Sequence, residues 1–354
     1  MGKDHEYKIQ QSNKVVKKAI TIQDVARYAG VARSTVSHVM NGSAPISQET
    51  KERVLKAIKE LGYKPNALAR GLRKNQTKMI GLIVPDISTE FYANIAKGVI
   101  DVAYEHDYTV VLCGTQYDLS REKMEVNTLI ERRIDGMIFA GGGGDDQYIL
   151  NLTQVGIPIV LADRSIMRST IPSVETDNIT AIKKMVGYLA GRGHKRIGFV
   201  SEPLVMTNLS QRFIGFELAL EENNINQELA HIYIDKRLQL DKLRQAYELM
   251  KEILETKPLN SLPTAFVTTS DLIAIGIVNA VKSRGLKVPD DIAVCGFDDI
   301  SIASSIDPPL TTIDQDNINM GRISAELMME NIENPRCITK RVLLDPKLVI
   351  RKSA

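Results

Sequence analysis

The stretch Thr21 to Gly42, TIQDVARYAGVARSTVSHVMNG, reads as two short helices crossing at a tight turn. Thr21 is a good N-cap, and Asp24, three residues on, can reach back to it as in a capping box. Ile22, Val25, Ala26 and Ala29 then share one helical face, and Gly30 follows where a left-handed backbone costs glycine little. After the turn, Val36, Val39 and Met40 repeat at helical spacing and can pack back on the first helix, with Ala26 small enough for close approach. The opposite face of the second helix carries Arg33, Ser34, Ser37 and His38. Such a face fits a DNA major groove, which admits one helix and presents base edges to short polar and basic side chains. An ordinary helical hairpin would not need the small residue, the glycine and the apolar residues all at this spacing.

Charge points the same way. Residues 1–76 hold fifteen Lys/Arg against six Asp/Glu, a net of +9 in a chain whose total is +2, so the remainder is acidic. A basic head on an acidic body is the footprint of a module that binds a polyanion joined to one that does not. Lys3, Lys8, Lys14, Lys17 and Lys18 lie in a polar tail, residues 1–20, with few apolar anchors, which reads as a disordered arm. A third helix follows in SQETKERVLKAIKELGY, capped by Ser47, striped by Val54, Leu55, Ile58 and Leu61, and ended by Gly62. Residues 21–65 thus form a small three-helix domain. KPNALARGLRKNQTK, Lys64 to Lys78, has helix-forming residues but is too short to be helical alone, so residues 66–77 read as a linker that turns helical when held.

The order of helix-turn-helix, YKPN turn and ALARGL hinge resembles the lactose/galactose-repressor family of bacterial transcription regulators, and the resemblance runs to the end of the chain. It implies that Arg33, Ser34 and His38 read bases and that Thr21, Ile22, Ser37, Asn41 and Asn66 hold the DNA backbone. It also implies that the hinge helices of two subunits pair in the minor groove, where Leu72 wedges open the central base step, the usual action of an apolar minor-groove residue. One departure stands out: the recognition helix of the family follows a serine, and here the residue is Ala32. Either a cap and a phosphate contact are missing, or Ser34 supplies them by starting the helix later.

From Met79 onward, aliphatic runs alternate with amphipathic segments in parallel βαβ order: MIGLIV, YTVVLCG, DGMIFAG and IPIVLAD, then RIGFVS, IYID, TAFVTT and IAVCGF. The fold class is α/β, a small all-α head and hinge on a body of two parallel-sheet lobes. Ligands bind beyond the carboxyl ends of such strands, and Asp86, Asp163, Arg164, Asp271 and Asp298 sit there. The resemblance implies a periplasmic sugar-binding fold over residues 78–354, with one lobe at 78–175 and 316–344 and the other at 176–315 and 345–354. It further implies that Phe91 and Tyr92 present rings to a ligand, that Arg212 clamps ligand oxygens, and that Asp163, Asp271 and Gln315 add polar contacts. A guanidinium beside carboxylates suits vicinal hydroxyls, and an aromatic face suits a sugar ring. The aromatic residue expected near IDKRLQLD is absent, and the protein contains no tryptophan.

Cys113, Cys295 and Cys337 have no metal-like spacing and fit a reduced, cytoplasmic compartment. No membrane-length apolar run is uninterrupted; TAFVTTSDLIAIGIVNAV contains Asp271. Gly141 to Gly144 lead into Asp145 and Asp146 without a P-loop lysine, so they read as a strand-end loop. The five histidines are scattered and no nucleophile–base pair is apparent, so the reading is no enzyme, no metal and no cofactor. The expected protein is a homodimeric, nucleoid-associated repressor of carbohydrate-use genes on a pseudo-palindromic operator, controlled by a small effector in the interlobe cleft, with a protein corepressor left open. The alternatives are a sugar-binding protein or a sugar-modifying enzyme whose DNA-binding head is secondary.

Overall fold

The computed structural model describes residues 20–63, 76–142, 145–334 and 339–354. Most of the tail, the hinge positions Asn66 and Leu72, glycines 143 and 144, and Cys337 lie outside the described residues. The chain divides into two compact units, residues 1–75 and 76–354.

The first unit contains α1 (Ile22–Ala29), α2 (Arg33–Asn41) and α3 (Gln48–Leu61). Thr21 and Asp24 form the reciprocal capping box: the Thr21 amide donates to Asp24 Oδ2 at 2.9 Å, and the Asp24 amide donates to Thr21 Oγ1. Gly30, Gly42 and Gly62 end the three helices in the left-handed conformation, which only glycine adopts without a Cβ penalty. Val25, Val36 and Val54 are fully buried and knit the three helices together, with Ala26 and Ala29 between them. The α3 stripe is displaced from its expected course. Leu55 is 48% exposed and Ala57 is buried in its place, because Val54, Ala57, Ile58 and Leu61 follow the i, i+3, i+4, i+7 rule and Leu55 lies a quarter-turn away. Helix α2 starts at Arg33 behind Ala32 with no side-chain cap, so Ser34 does not delay it.

The second unit begins with β1 (Met79–Val84), α4 (Glu90–Glu105), β2 (Thr109–Gly114), α5 (Leu119–Glu131), β3 (Gly136–Ala140), α6 (Asp146–Thr153), β4 (Ile159–Ala162) and β5 (Ser173–Thr176). It continues with α7 (Asn178–Gly191), β6 (Ile197–Ser201), α8 (Thr207–Glu222), β7 (His231–Ile234), α9 (Lys242–Thr256), β8 (Ala265–Thr268), α10 (Asp271–Ser283) and β9 (Ala293–Cys295). It closes with β10 (Thr312–Asp314), α11 (Asn317–Glu333), β11 (Arg341–Leu344) and β12 (Lys347–Val349). The aliphatic runs become two parallel sheets, ordered β11-β5-β4-β3-β1-β2 and β7-β6-β8-β9. Within each, the first strand lies between the second and third, so the strand order reverses there and a crevice opens at the carboxyl ends. Helices cover both faces of the inner strands β1, β3, β4, β6 and β8, which are therefore buried almost throughout, whereas the edge strands β2, β7 and β11 alternate or stay partly exposed. Ile80, Leu82 and Ile138 face α4 and α11, whereas Ile83, Met137 and Phe139 face α5 and α6. In the second sheet Phe199 and Val267 pack with α7 and α8, and Val200 and Phe266 with α9 and α10.

The chain leaves the first sheet after β5, returns with α11 and β11, and ends in the second lobe, where β12 pairs antiparallel with β10. Helix α11 lies directly against α4 at two glycines. A Cβ on Gly321 would stand 2.1 Å from the Ile95 carbonyl oxygen, and one on Gly98 would stand 2.1 Å from that of Ile318. Both obstacles are backbone, so an added methyl can be accepted only by separating the helices. Gly321→Ala should therefore destabilise the body by ~1–3 kcal/mol, the usual cost of overpacking, read as a lower midpoint in urea denaturation; an unchanged midpoint would refute the close crossing.

Candidate functional site

On the head, α2 turns Arg33, Ser34 and Asn41 to solvent, with Ser37 and His38 half-buried beside them. Among the described residues no acid pairs with Arg33. His38 Nδ1 lies 2.9 Å from Ser43 Oγ, which orients the ring, and Asn41 Nδ2 donates to Ser37 Oγ at 3.3 Å. The Thr21 hydroxyl and amide both go to Asp24, which fixes the start of α1. Ile22 packs, half-buried, on the head core. The uncapped amides of α2 point outward from its positive end, an arrangement that attracts phosphate.

In the body, a cavity of about 300 Å³ lies between the carboxyl ends of the two sheets. The first lobe contributes Phe91 and Tyr92 from the start of α4, Tyr117 from beyond β2 and Asp163 from the end of β4. Phe91 and Tyr92 meet edge to face with centroids 5.0 Å apart, presenting an apolar wall. Asp163 has φ 53°, a left-handed turn in which the chain reverses at the strand end and aims the carboxylate across the crevice.

The second lobe contributes Arg212, whose guanidinium is held by three hydrogen bonds. Nε donates to Asn178 Oδ1 at 2.8 Å, Nη1 to the Thr269 carbonyl at 2.8 Å and Nη2 to Gln315 Oε1 at 3.4 Å. The plane stacks 3.8 Å from the Phe297 ring centroid. Arg212 is thus held rigidly, with Nη2 3.9 Å from Asp163 Oδ1. Asn208 reaches across the lobes to donate to Asp163 Oδ2 at 2.8 Å, while Asp163 Oδ1 is buried without a hydrogen bond. Asp163 itself lines the cavity, and an orphaned buried acceptor is satisfied by a donor such as a hydroxyl. Further bonds tie the lobes: Thr207 Oγ1 donates to the Ser165 carbonyl at 3.0 Å, and at the mouth the Ser301 amide and hydroxyl donate to Glu90 Oε1 and Oε2 at 2.9 and 2.6 Å.

Burial pushes the Asp163 carboxyl up to about 7, with Arg212 opposing. Burial, reinforced by the neighbouring Asp271 charge, also holds Asp298 well above the carboxylate range.

Three expected contact residues stand behind the wall rather than on it. Asp271 is fully buried as the first residue of α10. Its carboxylate accepts from the Ile300 amide at 2.9 Å and the Thr312 hydroxyl at 2.5 Å, so it braces the β8, β9 and β10 ends and has no face toward a ligand. Gln315 is a relay, accepting from Arg212 and donating to Asp298 Oδ1 at 2.7 Å. Arg164 turns away to the Gly141 and Gly142 carbonyls and to Asp146 Oδ1, at 2.6 Å. Asp86 accepts from the Ser88 amide in a local turn. Conversely, Asp298, Glu202, Lys242 and Asn208 line the cavity. Glu202 directly follows the β6 run, so the strand-end rule that selects Asp163 also selects it.

Residues 21–66 match the family described as bacterial regulatory proteins, lacI family, and residues 186–354 match a periplasmic binding protein-like domain. The HTH-type transcriptional regulator RegA of Clostridium saccharobutylicum is 33% identical over 336 residues, spanning 95% of this chain and 99% of that protein. The ribose operon repressor of Halalkalibacterium halodurans is 34% identical over 333 residues, spanning 94% and 96%. The Lac repressor dimer bound to operator and the anti-inducer ONPF is similar in structure, with a TM-score of 0.83 at 27% identity over 95% of this chain and 99% of that one. A helix-turn-helix head on a two-lobed body with a cleft defines a DNA-binding transcription regulator with a periplasmic-binding-like effector domain. The chain belongs to the lacI family of bacterial regulatory proteins.

Because Asp163 holds its proton more tightly folded than unfolded, it contributes less stability as pH rises from the unfolded carboxylate range through about 7. Asp163→Asn, which mimics the neutral acid, should therefore gain stability relative to the parent between about pH 5 and about pH 8. Urea denaturation of both proteins across that range checks this, and a constant difference would contradict it.

Proposed function

We propose that this protein represses carbohydrate-use genes by binding a pseudo-palindromic operator as a homodimer, and that a small polyhydroxylated effector in the interlobe cavity controls that binding. The observation that carries the effector reading is the cavity itself: the immobilised Arg212 guanidinium and the under-satisfied Asp163 carboxylate oppose the Phe91 and Tyr92 rings. An arginine fork and carboxylate acceptors satisfy vicinal hydroxyls, and an aromatic wall covers the C–H face of a sugar ring. The ribose operon repressor among the relatives supports the same class. Binding without turnover is the expected outcome, and the effector should be recovered chemically unchanged.

On the head, Arg33, Ser34 and His38 read base edges, and Ser37, Asn41 and the amide end of α2 hold phosphates. Thr21 and Ile22 set the entry of α1. One recognition helix covers a half-site, so a two-fold protein on a two-fold site follows. Asn66 and Leu72 complete the reading from sequence: the hinge segments of two subunits pair as helices in the minor groove, with Leu72 as the wedge. Effector binding redistributes the bonds between the lobes and so the pairing of the hinges. The protein acts where the chromosome is, in the cytoplasm, and a protein corepressor would act on the outer surface of the body.

Two substitutions separate the halves of this account. Arg33→Ala should cost ~1–3 kcal/mol of operator affinity and relax preference at particular half-site positions. Arg212→Ala should bind operator but lose the effector's influence on it, since effector groups would be left unpaired at ~1–3 kcal/mol. The measurement is operator affinity with and without sugars that raise the thermal stability of the parent. Uniform weakening of Arg33→Ala on all sequences would demote that residue to a phosphate contact, and a full effector response in Arg212→Ala would place control outside the cavity.

A further inference from the structure

One wall of the cavity is built against local preference. Lys242 is the first residue of α9, where a cation meets the positive end of the helix dipole. Its N-cap, Asp241, is left-handed at φ 50° and makes no side-chain cap, costly for a non-glycine residue. The Lys242 side chain is only 13% exposed and forms an ion pair with Glu202, which is 3% exposed. Glu202 also accepts from Thr269 Oγ1 at 2.5 Å. A buried ion pair adds little stability over apolar residues of the same volume. Three unfavourable features at one cavity-lining residue mark a functional position rather than a structural one.

An ammonium carries three N–H groups, and Glu202 takes one. From the other lobe, Gln116 and Tyr117 are consecutive left-handed residues at φ 55° and 58°, a strained turn that delivers Tyr117 to the same cavity. Tyr117 and Tyr92 both line the cavity, and Tyr117 feels the Lys242 charge. Arg212 is held in place by bonds to Asn178, Thr269 and Gln315, whereas Lys242 is a compact cation with N–H groups beyond the one Glu202 takes. Burial alone would raise the Glu202 carboxyl, but Lys242 and Thr269 overcome it and keep the group ionised below its ordinary value. Glu202 is therefore the internal counter-ion that keeps the ammonium charged.

Resting on the sugar-effector reading, we infer that Lys242, positioned by Glu202 and flanked by Tyr117, selects effectors whose sugar carries an anionic oxygen group, a phosphate or a carboxylate. The acceptor side of the cavity, Asp163 and Asp298, takes hydroxyls, and the Lys242 corner takes the anion. The shared chemistry is the anionic oxygen, and the choice between its two forms is read from the pairs tested.

The test titrates the full chain with matched pairs by calorimetry: glucose with glucose 6-phosphate, glucose with gluconate, ribose with ribose 5-phosphate. In at least one pair the anionic member should bind more tightly by about tenfold or more. That ratio should fall toward one in Glu202→Gln/Lys242→Met, which removes both charges and leaves none unpaired; because it is taken within one protein, a reduced folded fraction does not alter it. Arg212→Ala should weaken both members of the pair together. Neutral sugars binding as tightly as their anionic partners, or a preference that survives the double substitution, overturns the inference and leaves the sugar reading standing. Binding of neither member of any pair overturns the sugar reading and this inference with it.

Discussion

The body is organised around one immobilised cation. Arg212 sits on α8, yet its three hydrogen bonds run to Asn178, just after the first passage between lobes, to the Thr269 backbone at the end of β8, and to Gln315, just before α11 leads back to the first lobe. A guanidinium is planar and always charged, so it can serve several fixed acceptors at once and stack on an aromatic face, as it does on Phe297. Both passages therefore meet the same side chain that faces the cavity. On the proposed function, a ligand that draws on Arg212 would act directly on the segments that join the lobes, with no intervening pathway.

Charge is distributed around this centre so that the wall stays responsive. Asp163 and Asp298 are buried carboxylates held above their ordinary range, whereas Glu202 is ionised because Lys242 stands against it. The two arrangements differ in what they offer. Carboxyls pushed up by burial welcome donors from a ligand, since such bonds replace solvation they have lost. A paired ammonium with spare N–H groups welcomes acceptors. Asp271 belongs to neither class: its oxygens are taken up by Ile300 and Thr312, and it fixes the strand ends on which the responsive groups stand.

The head and the parallel strands are legible in the sequence because their signals are local. Thr21 and Asp24, then Gly30, bracket one helix, and apolar runs such as MIGLIV and the IGFV of RIGFVS announce strands covered on both faces. The short strands SVET, TID, RVLL and KLV carry no such period; they exist because the chain passes between lobes and needs places to pair. Strand-end position brings Asp163 and Asp298 to the cavity but misplaces Asp271, since whether a helix's first carboxylate faces the ligand or the neighbouring strands depends on φ and ψ at the turn. Lys242 is hidden for a related reason. Its sequence neighbours LQLDKLRQ look like an amphipathic helix start, and only the fold places Glu202, forty residues earlier, against it.

On the proposed mechanism, a ligand in the interlobe cavity and operator DNA on the head bias the same two states. Thermodynamic linkage makes this testable in one measurement: the affinity of the most strongly stabilising sugar or sugar derivative, determined by titration of the full chain with and without saturating operator. Operator should change effector affinity by the same factor by which effector changes operator affinity, typically corresponding to ~1–3 kcal/mol. Identical effector affinity in the two titrations would contradict it and would leave the cavity as a binding site without control of the head.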